Sequence, residues 1–131
     1  MTGINIQYPW SQLLINENKC VETRSYPLPD KYVGETLALI ETPGKKGKFD
    51  ARIIGTLVFS HSFKYESYQE WVSDYNRHLV DVNDPLFGWN NKPKYGWVIC
   101  QINKFDHPIL APKHKGIIFT HNCMSLNCSG V

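Results

Sequence analysis

The chain of 131 residues predicts a single domain of the α+β class, a small barrel of short strands with two flanking helices. Three observations carry this. Short β-like runs bounded by Pro, Gly, Asn or Asp recur along the whole sequence. Only two stretches, 9–17 and 68–79, space their apolar residues as a helix does. Strands and helices do not alternate regularly, which argues against a parallel doubly wound sheet. No internal repeat and no Pro/Gly/Ser-rich linker divides the chain. The domain is therefore expected to cover 1–131, with its core over about 4–119 and a short C-terminal tail.

The elements follow in order. Residues 4–8 alternate weakly and read as a strand. Pro9 suits the first position of a helix, where its missing N–H costs nothing. Trp10, Leu13 and Leu14 form an apolar stripe, and Asn18 can take the left-handed conformation that ends the helix at about 9–17. Residues 19–24 read as a strand with Cys20, Glu22 and Arg24 on one face and Lys19, Val21 and Thr23 on the other. A strand follows over 34–40, then a Pro43-Gly44 turn and a loop with Lys45, Lys46 and Lys48. Residues 53–59 are the longest β-like run, with Gly55 marking a bulge. Ser67 and Glu70 make a capping box. Tyr68, Trp71, Val72, Tyr75 and Leu79 then fall on one helical face and are expected in the core. Asp84-Pro85 stops any continuation. Residues 83–94 form a loop, 97–105 a strand, Pro108 and Pro112 bracket a turn, and 117–119 is a last strand.

Composition excludes several classes. Hydrophobic residues make 42%, aromatic 13% and charged 20% of the chain, so collagen-like, low-complexity and coiled-coil classes are out. No apolar run is long enough for a membrane helix, and no membrane partner is expected. The net charge of +2 is a sum of opposed patches. Residues 43–52 carry +3, residues 66–84 carry −4 and residues 92–115 carry +4. Such segregation fits a module that meets anions on one side, but on charge alone ordinary solvated loops are the favoured reading. The first residues lack a basic stretch followed by an apolar one, so a cytoplasmic protein is expected. In that compartment Cys20, Cys100, Cys123 and Cys128 are free thiols. Cys123 and Cys128, with His121 close by, amount to half of a zinc site without its second pair of ligands, so no metal is expected. The five histidines show no zinc-helix spacing or triad partner, and there is no phosphate-cradling Gly-rich loop. No cofactor is expected, and a monomer is the default.

Candidate site residues cluster near the first helix. Glu22 and Arg24, on one strand face, are within reach of an ion pair, which on a plain surface is worth at most about 1 kcal/mol. In a barrel mouth, Arg24 would offer a planar fork to a phosphate or base edge. Glu22 would accept from an exocyclic amine. A desolvated Lys19 could lose its proton and act as base or nucleophile. Trp10 could stack on a nucleobase or sit in the core. Ser11 could cap the helix or hold a phosphate. Tyr95 and Trp97 could floor a cleft or pack inside. Phe87 and Trp89, in a loop, could cover a ligand or anchor the loop.

The run Tyr8-Pro9-Trp10-Ser11-Gln12-Leu13-Leu14, followed by Asn18-Lys19-Cys20-Val21-Glu22-Thr23-Arg24, resembles the signature of the ASCH domain. That signature is a Pro-Trp helix start, an apolar helix, then Lys-x-x-Glu-x-Arg. Lys31-Tyr32-Val33-Gly34, Tyr95-Gly96-Trp97-Val98, Pro108-Ile109 and Lys113-His114-Lys115-Gly116 look like later pieces of it. The resemblance covers roughly 4–119. It implies a PUA-like β-barrel that binds RNA or a modified nucleoside between the first helix and the barrel. It also brings two alternatives. One is an amidohydrolase that removes the acyl group of N4-acetylcytidine, and the other is a metal-dependent ribonuclease. The amidohydrolase branch uses Lys, a Thr three positions later, and a Glu after the second helix. Lys19 matches, Glu22 stands at the Thr position with Thr23 beside it, and no glutamate follows Glu70. The resemblance thus makes Lys19, Glu22 and Thr23 the candidate catalytic residues. Trp10, Ser11, Arg24, Tyr95 and Trp97 are the candidate ligand-binding residues. RNA or a modified nucleoside is the expected partner.

Overall fold

The computed structural model describes residues 1–112, 118–121 and 123. The elements are β1 (Gly3–Gln7), α1 (Trp10–Ile15), β2 (Val21–Arg24), a tight helical turn at Asp30–Tyr32, β3 (Thr36–Thr42), β4 (Arg52–Lys64), α2 (Tyr68–Ser73), α3 (Tyr75–His78), β5 (Tyr95–Leu110) and β6 (Phe119–Thr120). The strands form one sheet in the order β2-β5-β4-β3-β1-β6. β1 and β3 run parallel, and the other pairs are antiparallel. This is the expected α+β class with a small PUA-like barrel, here a sheet curled into a half-barrel with short helices. Two side-chain contacts show the curl. Trp97, second strand in the order, stacks with Phe119, the last strand, at 6.2 Å. Arg24 on the first strand donates to the Asn5 carbonyl of β1 at 3.2 Å.

Burial explains the pattern of β3. Leu37 and Leu39 enter the barrel core with Ile4, Ile6, Leu14, Leu57, Phe59 and Trp97. Ala38 and Ile40 enter a second cluster on the opposite face, with Ile53 and Ala111. Both faces are covered, so the strand reads as a continuous apolar run. Gly55 sits where the ladders of both β3–β4 and β4–β5 shift register, as the expected bulge requires.

Four sequence expectations need correction. The first helix is shorter than 9–17, and the left-handed residue that ends it is Glu17, not Asn18 (φ 61°). The N–H groups of Asn18 and Lys19 both close onto the Leu13 carbonyl, at 2.9 and 3.0 Å, which places the reversal one residue earlier. The helix expected over 68–79 is broken at Asp74. The Trp71 carbonyl accepts from the Asp74 N–H at 3.1 Å and bonds the His78 ring at 2.7 Å. It is therefore withdrawn from a regular helical ladder. Leu79 then turns left-handed (φ 57°). Of the expected buried stripe, Trp71 is buried, Leu79 is half-buried, and Tyr68, Val72 and Tyr75 are exposed. The turn expected at Pro108 is strand instead, because β5 runs to Leu110. Pro108 lies in the irregular stretch between the pairs Gly55–Lys104 and Ile53–Ile109, where a missing N–H breaks no regular rung. The last strand, expected over 117–119, is described at Phe119–Thr120 with Ile118 outside it, and residue 117 lies outside the described residues. Residues 113–117, which hold the Lys113-His114-Lys115-Gly116 segment, and Cys128 of the considered zinc pair lie outside the described residues. Among the described residues no helix is long and apolar enough to cross a membrane.

A Cβ at Gly55 would lie 2.3 Å from the Asn103 backbone oxygen and 2.7 Å from Ile15 Cδ1. The backbone contact cannot yield by a rotamer change. Gly55→Ala is expected to destabilise the domain by about 1–3 kcal/mol. Urea denaturation checks this, and an unchanged midpoint would contradict the bulge geometry.

Candidate functional site

The chain entering β2 turns before it becomes a strand. Cys20 donates its N–H to the Arg77 carbonyl at 3.0 Å and is exposed, and the ladder starts at Val21. Lys19 therefore does not follow the strand alternation, and the expected split of Lys19 from Glu22 onto opposite faces is corrected. The Lys19 ammonium lies 3.7 Å from Glu22 Oε1, and its side chain is only 1% exposed. It donates to the His78 carbonyl, at the end of α3, and sits 5.2 Å from the centre of the Trp10 ring. Burial is the main influence on the amine and holds its pKa below the ordinary lysine value. Glu22 acts in the opposite direction, and the Arg24 cation reinforces burial.

Glu22 and Arg24 do share a face. Arg24 Nε and Nη2 both donate to Glu22 Oε2, at 3.1 and 2.9 Å. The guanidinium also rests 5.6 Å from the Trp97 ring centre. One carboxylate, 9% exposed, thus serves two cations.

These groups line a cleft of about 710 Å³. That is within the roughly 300–1,000 Å³ of small-molecule sites. One wall is Trp10 with β1 and β2, and the other is the segment that follows α3. Val80, Phe87, Asn90, Lys92 and Lys94 come from that segment. Phe87 meets Trp10 edge to face at 6.0 Å. Lys94 pins the loop, donating to the Phe87 carbonyl at 2.9 Å and lying 5.7 Å from the Trp71 ring centre. Burial lowers its pKa too, with Asp84 acting in the opposite direction. Asp84 Oδ1 accepts the N–H groups of Leu86 and Phe87, at 2.9 and 2.8 Å, and shapes the loop that presents Phe87. Among the described residues the lining carries Lys19, Arg24, Lys92 and Lys94 against the single carboxylate of Glu22.

Of the eight candidate catalytic and ligand-binding residues, Trp10, Lys19, Glu22, Thr23 and Arg24 line this cleft, and of the loop aromatics Phe87 does and Trp89 does not. Ser11, Tyr95 and Trp97 do not. Ser11 is buried and donates to Glu41 Oε2 at 2.7 Å, where Gln12 and Arg52 also converge. Trp97 is fully buried and donates its indole N–H to the Tyr26 carbonyl at 3.0 Å. Tyr95 packs against the barrel core. Asn5, Tyr26 and Asn90 line the cleft without having been singled out. No local pattern marks them, because the curl of the sheet and the path of the loop bring them there. Exposed Lys45, Lys46 and Lys48 follow Thr42, itself a lining residue. Among the described residues no group of three or more His, Cys, Asp or Glu could hold a metal ion.

His78 supports the site from behind. It is fully buried, stacked on Trp71 at 4.8 Å. Its Nδ1 accepts the Val80 N–H at 2.9 Å, so Nε2 carries the proton and donates to the Trp71 carbonyl. Burial pushes its pKa below the ordinary 6.5, and Lys19 and Lys94 add to that.

No protein-family profile matches the chain, and neither does any curated protein. Solved structures do. The crystal structure of ASCH from Zymomonas mobilis superposes with a TM-score of 0.62 at 15% identity, over 83% of this chain and 72% of that one. A serine-to-alanine variant of the same Zymomonas mobilis protein superposes with a TM-score of 0.62 at 12% identity, over 91% of this chain and 85% of that one. The chain therefore has an ASCH-like fold.

Two outcomes follow from the cluster. Glu22→Gln leaves two cations facing each other without a counter-charge, and breaking such a buried pair costs about 3–5 kcal/mol. Denaturant unfolding is expected to show a loss of that order, whereas a loss typical of surface pairs would contradict the shared carboxylate. For His78, the folded state binds the proton more weakly than the unfolded chain does. Unfolding then takes up a proton below about pH 6.5, and stability falls as pH falls through that range. The stability of the wild type relative to His78→Gln is expected to decline from pH 7 toward pH 5. Parallel pH profiles would contradict a buried imidazole held neutral.

Proposed function

We propose that the protein binds single-stranded RNA or a modified nucleoside in the cleft between α1, β2 and the segment 80–94. The observation that carries this reading is the cleft's lining, with four cations, one carboxylate and an aromatic wall of Trp10 and Phe87. Cations meet phosphate, and aromatic rings stack on bases regardless of sequence. Arg24 keeps donors beyond those given to Glu22 and Asn5, since a guanidinium has five N–H groups. The ASCH-like fold is consistent with this reading. The small net charge sets a limit, because a cleft with few cations neutralises few phosphates.

A second reading is favoured by one observation, the buried amine of Lys19 beside Glu22 with a pKa held below its usual value. A neutral amine in a ligand cleft can attack an acyl carbon or take a proton. On this reading the protein is a hydrolase of N4-acetylcytidine. Lys19 takes a proton from water, the oxygen attacks the acyl carbon, and the C–N4 bond breaks as the proton passes to N4, giving acetate and cytidine. In the alternative, the Lys19 amine attacks, cytidine leaves with the proton on N4, and water then hydrolyses the acyl-lysine to acetate. Glu22 orients the water or moves the proton, and Thr23 supplies a hydroxyl at the cleft wall. The metal-dependent ribonuclease alternative draws no comparable support from the lining.

Fluorescence anisotropy with a labelled single-stranded RNA of mixed sequence tests the first reading. About three phosphate contacts predict a slope near −2 in the plot of log affinity against log salt. Arg24→Gln with Lys92→Gln is expected to weaken binding about tenfold or more and to flatten that slope. Binding unchanged by the double substitution would overturn the assignment. Chromatography of N4-acetylcytidine incubated with the protein decides the second reading. Cytidine formed by the wild type and absent with Lys19→Met supports it, and no turnover at high protein concentration removes it.

A further inference from the structure

The helical segment presents an anomaly away from the cleft. Tyr68, Val72 and Tyr75 belong to the face that the sequence predicts as buried, yet they are 41%, 38% and 48% exposed. Val82, 36% exposed, stands with Val72 and Tyr75 around a separate groove of about 200 Å³. Trp71 and Asp81 contribute further walls. This is below the roughly 300–1,000 Å³ of small-molecule pockets, a size for one side chain. The apolar surface continues beyond the groove, because Trp89 packs on Trp71 at 5.7 Å and on Tyr68 at 5.8 Å.

The charge around this surface is one-sided. Residues 66–84 carry five carboxylates against Arg77. Asp74 is already engaged, with Arg77 at 2.6 Å and the Tyr65 hydroxyl. Glu66, Glu70 and Asp81 form no ion pair among the described residues. Asp81 accepts the Asn83 N–H on Oδ1 at 2.8 Å and lines the groove without an ion-pair partner among the described residues. An apolar slot with a carboxylate at its edge complements a long aliphatic stem with a cationic head. It repels a phosphate chain.

We propose that this groove docks a segment of a partner protein that presents one lysine or arginine between aliphatic residues. The stem of the cation lies along Val72, Val82 and the Tyr75 ring, and its head meets Asp81. The flanking aliphatic residues cover Tyr68 and Trp89. The face is distinct from the proposed nucleic-acid cleft, although Val80 borders both.

The test uses the full chain labelled with nitrogen-15. The probes are acetyl-Ala-Leu-Arg-Leu-Ala-amide and its counterpart with glutamate for arginine. The arginine peptide is expected to shift the Trp71 indole and Tyr75 amide resonances with a dissociation constant at or below about 1 mM. The glutamate peptide leaves them in place. Asp81→Asn, at an exposed side chain, is expected to weaken the arginine peptide about fivefold without changing the melting temperature. Val72→Ser gives a second variant that removes the apolar wall. No shift at several times 1 mM, equal shifts by both peptides, or no effect of either variant would each overturn the proposal. So would sedimentation showing that the chain dimerises through this face, since the occupant would then be a second copy.

Discussion

A six-stranded sheet that curls without closing leaves its ends facing one another, and Arg24 supplies the polar contact across the gap beside the Trp97–Phe119 stack. From β2 at one end it reaches a backbone carbonyl of β1 near the other. It does so while held by Glu22, which also faces the Lys19 amine. The cleft is the space this arrangement leaves at the seam. Closing the barrel by backbone pairing would have removed the cleft. A charged bridge keeps the ends together and leaves the cleft open. Its cost is a set of ions taken partly out of water, which is tolerable because each has a directed partner. The Lys19 amine finds the carbonyl end of α3. Cations are favoured there because carbonyl groups at a helix end lack helical partners.

The same bridge ties the helical segment to the barrel. Lys19 holds the His78 carbonyl, the His78 ring holds the Val80 N–H and the Trp71 carbonyl, and Lys94 lies over the Trp71 ring while holding the loop at Phe87. Two ammonium groups therefore anchor opposite ends of one wall. Both are buried, and burial lowers the pKa of each. A wall fixed by backbone carbonyls rather than side-chain carboxylates leaves the lining with excess positive charge. Carboxylate anchors would have neutralised it.

How much of this is legible in the sequence depends on the distance of the partner. The existence of the six strands, the bulge at Gly55 and the Glu22–Arg24 pair are local, set by alternation and spacing, and the structure keeps them, although β2 starts later and β5 runs longer than the pattern predicts. Lys19 misleads because the strand begins at Val21, so a two-residue shift in the boundary moves it from the wrong face into the cluster. Ser11 cannot be placed from its own neighbourhood, since its partner Glu41 lies thirty residues on. The break at Asp74 is equally hidden. Helical spacing over 68–79 is intact, and what defeats it is a buried imidazole competing for the Trp71 carbonyl. A histidine seven residues from a tryptophan carries no such signal by itself.

That break also explains the distribution of aromatics in a chain with a net charge of only +2. An unbroken helix would have carried Tyr75 onto the same face as Trp71. Broken at Asp74, it buries Trp71 and leaves Tyr68 and Tyr75 on an acidic surface. The basic lining and the acidic helical face then belong to one small domain while facing different spaces. An approaching polyanion meets attraction at the cleft and repulsion at the helices, so its orientation is selected before contact. A neutral sum is compatible with that selectivity, because what steers a ligand is the separation of charges rather than their total. The near-neutral composition is thus the signature of two faces kept apart, and the histidine-locked turn between α3 and Val80 is what keeps them so.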